Sequence, residues 1–92
     1  MSYEEPEKIA LHLSSDEATV LFELLARWIN DTEHPAPDGA CFEDASECAV
    51  LRGVLSDLER QMAAPFRGDY RQILESARRR VTERWGSTGL RE

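Results

Sequence analysis

Several residue types that mark particular classes of protein are scarce in this chain of 92 residues. Its two cysteines, Cys41 and Cys48, are too few for the disulfide framework of a small secreted domain. No apolar run approaches the roughly 20 residues that cross a bilayer. The acidic start, Met-Ser-Tyr-Glu-Glu-Pro-Glu, lacks the positive and apolar parts of a secretion signal. These absences predict a cytoplasmic protein with free thiols and no membrane contact.

Basic residues are also in short supply. Eleven Lys and Arg stand against 18 Asp and Glu, giving a net charge of −7, and Lys8 is the only lysine. A protein whose main partner is nucleic acid needs a basic surface, which this balance disfavours. Residues 1–62 hold 14 acids and 4 bases, whereas residues 63–92 hold 4 acids and 7 bases. The acidic part favours a partner protein with a basic surface, and solubility is the alternative interpretation.

What the sequence does have is a repeated signal for the start of a helix. Three capping residues are each followed three positions later by Glu or Gln and then by apolar residues at helical spacing; the pairs are Ser14 with Glu17, Asp44 with Glu47, and Asp69 with Gln72. In each pair the first side chain is expected to accept from the opening turn, and the second to accept from the N–H of the cap. Three such signals in a chain long enough for one domain predict a mainly α fold.

The apolar stripes place the three helices at about 15–30, 45–63 and 70–85. Leu25 is central to the first stripe, and the second follows a seven-residue repeat through Cys48, Leu51, Leu55, Leu58 and Met62. Gly53 lies within that helix and suggests a close approach by a neighbour. Gly86 suits the end of the third helix. The prediction is a three-helix bundle in which the short joint at 64–68 makes the second and third helices antiparallel neighbours.

Residues 8–13 carry a different pattern, with Ile9, Leu11 and Leu13 alternating as in a short strand. A single strand has unpaired edges, so it must lie against a helix or pair with a second copy of the chain. A homodimer, formed through this segment or through the helical stripe around Gly53, is therefore the alternative function. The predicted organisation is a disordered N-terminus at 1–7, one helical domain at 8–86, and a frayed tail at 87–92.

The connection between the first two helices is the candidate functional site. Residues 31–43 contain two prolines and an Asp38-Gly39 turn signal, and at thirteen residues the connection is long for a helix–helix joint. It holds acids and no Lys or Arg. With the start of the second helix it forms a predicted surface for binding another protein, made of Asp31, Glu33, Asp38, Phe42, Glu43 and Glu47.

Alternatives based on chemistry are weaker. Six residues lie between His34 and Cys41 and six between Cys41 and Cys48, whereas structural zinc sites pair ligands that have only two to five residues between them. Cys48 also falls in the apolar stripe, where a free cysteine packs as a small hydrophobe. His12 and His34 are the only histidines available as a base, and no catalytic signature surrounds the thiols. We therefore expect no metal, no cofactor and no enzymatic activity.

Two further groups have structural interpretations. Arg78, Arg79 and Arg80 point in different directions on a helix, so at least one is expected to pair with an acid of another helix. Trp28, Tyr70 and Trp85 belong to the helical stripes and are expected to fill the core. Phe66, beside Pro65 in the short joint, is expected to be partly exposed.

Parts of the chain resemble a group of small uncharacterised bacterial helical proteins. The likeness covers about residues 9–81 and is carried by Leu13-Ser14-Ser15-Asp16-Glu17-Ala18, Leu21-Phe22-Glu23, Leu58-Glu59, and Pro65-Phe66 with Asp69-Tyr70. That group has no established activity. The resemblance therefore implies a helical outline and no particular role.

A second resemblance is local, over about 25 residues. Ser15-Asp16-Glu17 leads an apolar helix into Thr32-Glu33-His34-Pro35 and then Asp38-Gly39, which is similar to the second helix and following turn of nuclease-colicin immunity proteins. Those small acidic four-helix proteins block a toxin through acidic and aromatic residues. Here Cys41-Phe42 stand near the place of their paired tyrosines, and no helix is predicted before the segment. The resemblance implies toxin neutralisation as one form of protein binding.

Overall fold

The computed structural model describes residues 7–91, and in that range it contains three α-helices and no strand. The helices are α1 (Ser15–Asn30), α2 (Ala45–Gln61) and α3 (Tyr70–Trp85), with short 3-10 turns at Gly39–Cys41 and Ala64–Phe66. The predicted mainly α three-helix bundle with a long loop after α1 is confirmed, and residues 8–13 precede α1 without forming a helix or strand. The disorder predicted for residues 1–7 falls, except at Glu7, outside the described residues, as does the last residue of the tail.

Helix α1 lies at the centre because both other helices pack against it. On the α2 side, Leu25 is 1% exposed and forms an apolar core with Leu55 and Leu58. On the α3 side, the buried residues are Leu74 and Ala77. The prediction that α2 and α3 are neighbours is wrong, since within residues 7–91 neither makes a contact with the other comparable to its contact with α1. Because the apolar face of α1 is wide, α2 and α3 pack on different parts of it.

The helix-start signals act in three different ways. At Ser14 the full capping box forms: its Oγ accepts from Glu17 N–H at 3.0 Å, and Glu17 Oε1 accepts from Ser14 N–H at 2.8 Å. At Asp44 the carboxylate accepts from Ser46 N–H at 2.8 Å. Glu47 accepts from the N–H of Glu43 at 2.9 Å, one residue before the cap. The predicted reciprocal bond to Asp44 itself is therefore wrong.

At the third start, the prediction of a side-chain cap is wrong. Asp69 makes no capping hydrogen bond, and its backbone has φ −100° and ψ 22° instead of the extended angles of a cap. The carboxylate is occupied by Arg67, whose Nε and Nη2 donate to its two oxygens at 3.0 and 3.3 Å. Both oxygens of the carboxylate are therefore engaged by the arginine in a charge-assisted bidentate pair, and the side chain does not cap α3.

Helix α2 ends two residues earlier than predicted. Gln61 is its last residue, and Met62 is the cap, with its N–H donating to Leu58 O at 2.9 Å. Residues 64–66 then form a 3-10 turn that begins just before Pro65, because proline fixes its φ and has no N–H to continue an α-helix. Helix α3 ends as predicted at Gly86, whose φ of 96° is a value that residues with a Cβ rarely adopt.

Gly53 lies in the middle of α2, where the predicted close approach by a neighbour is not found. A Cβ placed on Gly53 would have nothing within 4 Å. We therefore expect Gly53→Ala to raise the free energy of unfolding by about 1 kcal/mol, measured by urea denaturation. Gly86→Ala is the matched control with the opposite sign, since its positive φ should cost about 1 kcal/mol or more. A destabilised Gly53→Ala would contradict the open environment of this residue.

The α1–α3 contact carries polar bonds that the α1–α2 contact lacks in the described chain. Arg80 donates from Nε and Nη2 to the two carboxylate oxygens of Asp16, both at 2.8 Å, which confirms the predicted pairing of an arginine with another helix. The Tyr70 hydroxyl donates to Glu23 at 3.1 Å. Partial burial and the nearby Glu23 carboxylate raise the pKa of Tyr70 to about 12. The hydroxyl is therefore a stable donor at neutral pH.

Trp85 is where the core prediction for aromatic residues is wrong. Trp85 is 65% exposed, and its indole Nε1–H donates a hydrogen bond to Glu17 Oε2 at 2.9 Å. Because Glu17 is in the first turn of α1, Trp85 lies beside the beginning of α1. Few residues of that helix are close enough to bury the Trp85 ring. Trp28, in contrast, packs against the apolar core as predicted. Phe66 is 86% exposed, which also agrees with prediction.

Candidate interaction surface

The acidic connection is built as a set of short local turns. Asp31 ends α1, and its carboxylate accepts from Glu33 N–H at 3.1 Å and contacts His34 Nδ1. These two contacts, the backbone N–H first, hold the pKa of Asp31 below its usual value. Asp38 accepts from Ala40 N–H at 2.9 Å and starts the 3-10 turn. Both carboxylates therefore fix the local backbone of the loop in addition to contributing negative charge.

Phe42 attaches the loop to the bundle. Its half-buried ring lines a small apolar cavity of about 160 Å³ between α1 and α2, together with Trp28, Ile29, Leu51 and Cys48. Burial of an aromatic ring among these side chains holds the middle of the loop in one position. The sequence prediction placed Phe42 in the contact surface, and the structure places it beneath that surface.

The remaining acids of the site differ in how free they are. The carboxylate of Glu47 accepts from Glu43 N–H at 2.9 Å, and Asp44 is engaged by the backbone and hydroxyl of Ser46. Those two bonds to Ser46, the hydroxyl first, lower the pKa of Asp44. Glu33 and Glu43 are exposed, and neither carboxylate has a hydrogen-bond partner among the described residues. The structure thus leaves two carboxylates of the predicted surface available for a partner.

Basic residues border this surface at one end. Arg27 and Arg78 line a shallow polar cleft together with Asp31 and His34. Positive charge there offsets the charge of Asp31. The loop after His34 has no Lys or Arg until Arg52 in α2. The excess negative charge is therefore concentrated along Asp38, Glu43 and the first turn of α2.

The residues considered for metal binding are not gathered into one place. Within residues 7–91, no group of three or more His, Cys, Asp or Glu side chains is arranged to hold a metal ion. Cys41 is exposed in the 3-10 turn, while Cys48 is half-buried and lines the apolar cavity with Phe42. His34 contacts Asp31 instead of either thiol.

One feature was missed by sequence reasoning: a groove beside the start of α1. It has a volume of about 710 Å³ and is bordered by the extended segment through Ile9, Leu11 and Leu13. Its helical wall includes Ala18, Val54, Leu58 and Met62. The signal was present in part, because the alternating residues 9, 11 and 13 indicated an apolar edge. What the sequence did not show is that α2 leaves room beside that edge.

Comparison with protein-family models, with curated proteins and with solved structures finds no match to this chain. Among residues 7–91, none of the helices has the length and apolar character required to span a bilayer.

Proposed function

We propose that this chain is a non-enzymatic cytoplasmic module that binds another protein through the surface formed by its acidic loop and the start of α2. The observation that carries the proposal is a series of acids from Glu33 to Glu47 with no Lys or Arg among them, in a loop shaped by local hydrogen bonds. The carboxylates of Asp38, Asp44 and Glu47 take part in local hydrogen bonds, whereas those of Glu33 and Glu43 have no hydrogen-bond partner among the described residues.

The partner suited to this surface is a protein with a basic patch. Complementary charge speeds encounter and disfavours acidic competitors, and its effect weakens as salt rises. A rigid loop also loses little conformational entropy on binding, so more of the interaction energy is retained. A basic toxin or effector that this chain neutralises is one such partner and agrees with its small size and net charge of −7.

The test uses the two acids that the fold does not need. Glu33→Lys combined with Glu43→Lys should weaken binding of a partner captured from lysate by roughly tenfold or more, because two attractive contacts become repulsive. The matched control, Glu59→Lys with Glu75→Lys, makes the same change in net charge at exposed positions of α2 and α3. Binding is compared by pull-down and then by titration calorimetry with the identified partner.

Two results would contradict this proposal. If the loop variant and the control lost partner binding to the same extent, the change in net charge alone would explain the effect. If both variants bound the partner as well as the wild type does, the loop would not be part of the contact surface. Asp31 and Asp38 are unsuitable for this experiment, since reversing either would break a turn as well as change a charge.

A further inference from the structure

The groove beside α1 is bordered by apolar side chains that the chain itself leaves uncovered. Ile9 is 93% exposed and Leu11 is 78% exposed, although both border a depression whose other wall includes apolar side chains of α1 and α2. Val54 and Met62 contribute to that wall and are themselves only half-buried. Apolar side chains exposed on both sides of one groove indicate that another surface covers them.

The backbone of the same segment is unpaired as well. From Lys8 to Leu13 the chain belongs to no helix or strand, and none of its N–H or C=O groups has a hydrogen-bond partner within residues 7–91. An extended segment with free backbone groups and alternating apolar side chains is a template for pairing with another strand. The occupant of the groove is therefore expected to be extended, with side chains that alternate in the same way.

The chain offers such a segment only in a second copy. Residues 1–6, Met-Ser-Tyr-Glu-Glu-Pro, include two acids and a proline and lack the alternation. The segment 8–14 carries Lys8 and no acid, so bringing two copies of it together does not place carboxylates side by side.

We infer that two copies of this chain associate about a two-fold axis by pairing their 8–13 segments antiparallel, and that the paired strands close the groove of each copy. This surface is separate from the acidic loop and adds self-association to the proposed function. A two-fold contact uses the same patch on both copies, which is what a segment that pairs with itself provides.

The side chains also select a register. With Leu11 on the two-fold axis, Leu11 meets Leu11, and Ile9 of one copy lies opposite Leu13 of the other. Each of the three large apolar residues of the segment then faces another of them. With Ala10 on the axis, Leu13 would face Glu7 of the other copy. Moving the axis from Leu11 to Ala10 shifts one strand by two residues against the other, which keeps the apolar faces together but leaves Leu13 without an apolar partner. The register on Leu11 is therefore favoured.

The helical wall of the groove is an essential part of this contact. Two short strands alone are marginally stable in water, and a specific interface buries at least about 1,200 Å². Side chains from Ala18, Val54, Leu58 and Met62 add area beneath the pair in each copy. The strands and the groove are therefore expected to bind as one unit.

The first experiment measures the mass of the full chain in solution by sedimentation equilibrium from 1 to 200 μM. The wild type is expected to be a dimer of twice 10.5 kDa at tens of micromolar. Leu11→Lys should raise the dissociation constant at least 100-fold, since it places two like charges on the axis. Its α-helical circular dichroism should be unchanged, because residue 11 precedes α1. Val50→Lys, at an exposed apolar position of α2 outside the groove, should leave the dimer intact.

The second experiment tests the register by cross-linking, with Cys41→Ser and Cys48→Ala as the background. Leu11→Cys should form an intermolecular disulfide, because directly opposed antiparallel residues have Cα atoms about 4.5–5.5 Å apart. Ala10→Cys should not, since its two copies would be about 8 Å apart on the diagonal.

Each other outcome overturns the inference. A wild type that is monomeric at 200 μM leaves the groove to a different occupant. A dimer that survives Leu11→Lys, or that Val50→Lys disrupts, is formed elsewhere on the molecule. Equal cross-linking at positions 10 and 11 shows that the segments do not pair in a fixed register.

Discussion

Replacing Leu25 by Ala is expected to lower the free energy of unfolding by about 2–5 kcal/mol. Leu25 is 1% exposed and forms the core with Leu55 and Leu58, so the variant loses apolar contact and leaves a cavity that these neighbours only partly fill. A small domain has only about 5–15 kcal/mol of stability in total, which makes this a large fraction. The measurement is urea denaturation followed by circular dichroism at 222 nm.

Leu25→Met is the matched control, because it nearly conserves volume and should cost less than about 1.5 kcal/mol. Val50→Ala removes apolar atoms from an exposed position of α2 and should change stability by about 0.5 kcal/mol or less. If Leu25→Ala resembled Val50→Ala, the packing of α1 against α2 would be different from the one described.

The second large effect is expected at the other face of α1, for Ala77→Leu. Ala77 is 0% exposed and lies where α3 packs against α1, so three added carbon atoms must force the helices apart or adopt strained rotamers. We expect a loss of about 1–3 kcal/mol in the free energy of unfolding, despite the higher apolar content of the variant.

The comparison for Ala77→Leu is Glu75→Leu, which adds a leucine at an exposed position of the same helix. It should change stability by about 0.5 kcal/mol or less. Neutral or stabilising behaviour of Ala77→Leu in the same denaturation assay would show that α3 has space beside α1.

The helix limits that the sequence predicted correctly were those set by residues close to each other in the chain. Ser14 with Glu17 and Gly86 act within one turn, so their pattern is sufficient to locate an end of a helix. Asp69 does not cap α3, and its carboxylate instead accepts hydrogen bonds from Arg67. The sequence pattern for a capping box contains no information about other donors near the carboxylate. Helix α2 ends before the predicted residue because Ala63 and Ala64 belong to the start of the 3-10 turn around Pro65.

What could not be predicted depended on how the helices face each other. The sequence showed that α1 has a wide apolar face but not that α2 and α3 use different sides of it. Trp85 has the spacing of a core residue and yet lies beside the first turn of α1, where coverage stops. In the candidate site, the charge of the loop could be read directly, whereas the burial of Phe42 depended on a cavity between two helices.

The two faces of α1 differ in their response to acid. Helix α2 is held by apolar side chains that do not titrate, whereas α3 is partly held by Asp16 and Glu17. The pKa of Asp16 is lowered chiefly by its bond from Arg80, and that of Glu17 by Ser14 N–H and then Trp85. A carboxyl whose pKa is lower in the folded state stabilises the fold above its unfolded pKa and loses that contribution as the pH falls through the folded one. Acidification through the lowered pKa values of Asp16 and Glu17 therefore weakens the polar attachment of α3 to α1, whereas the apolar contact between α1 and α2 does not respond to pH.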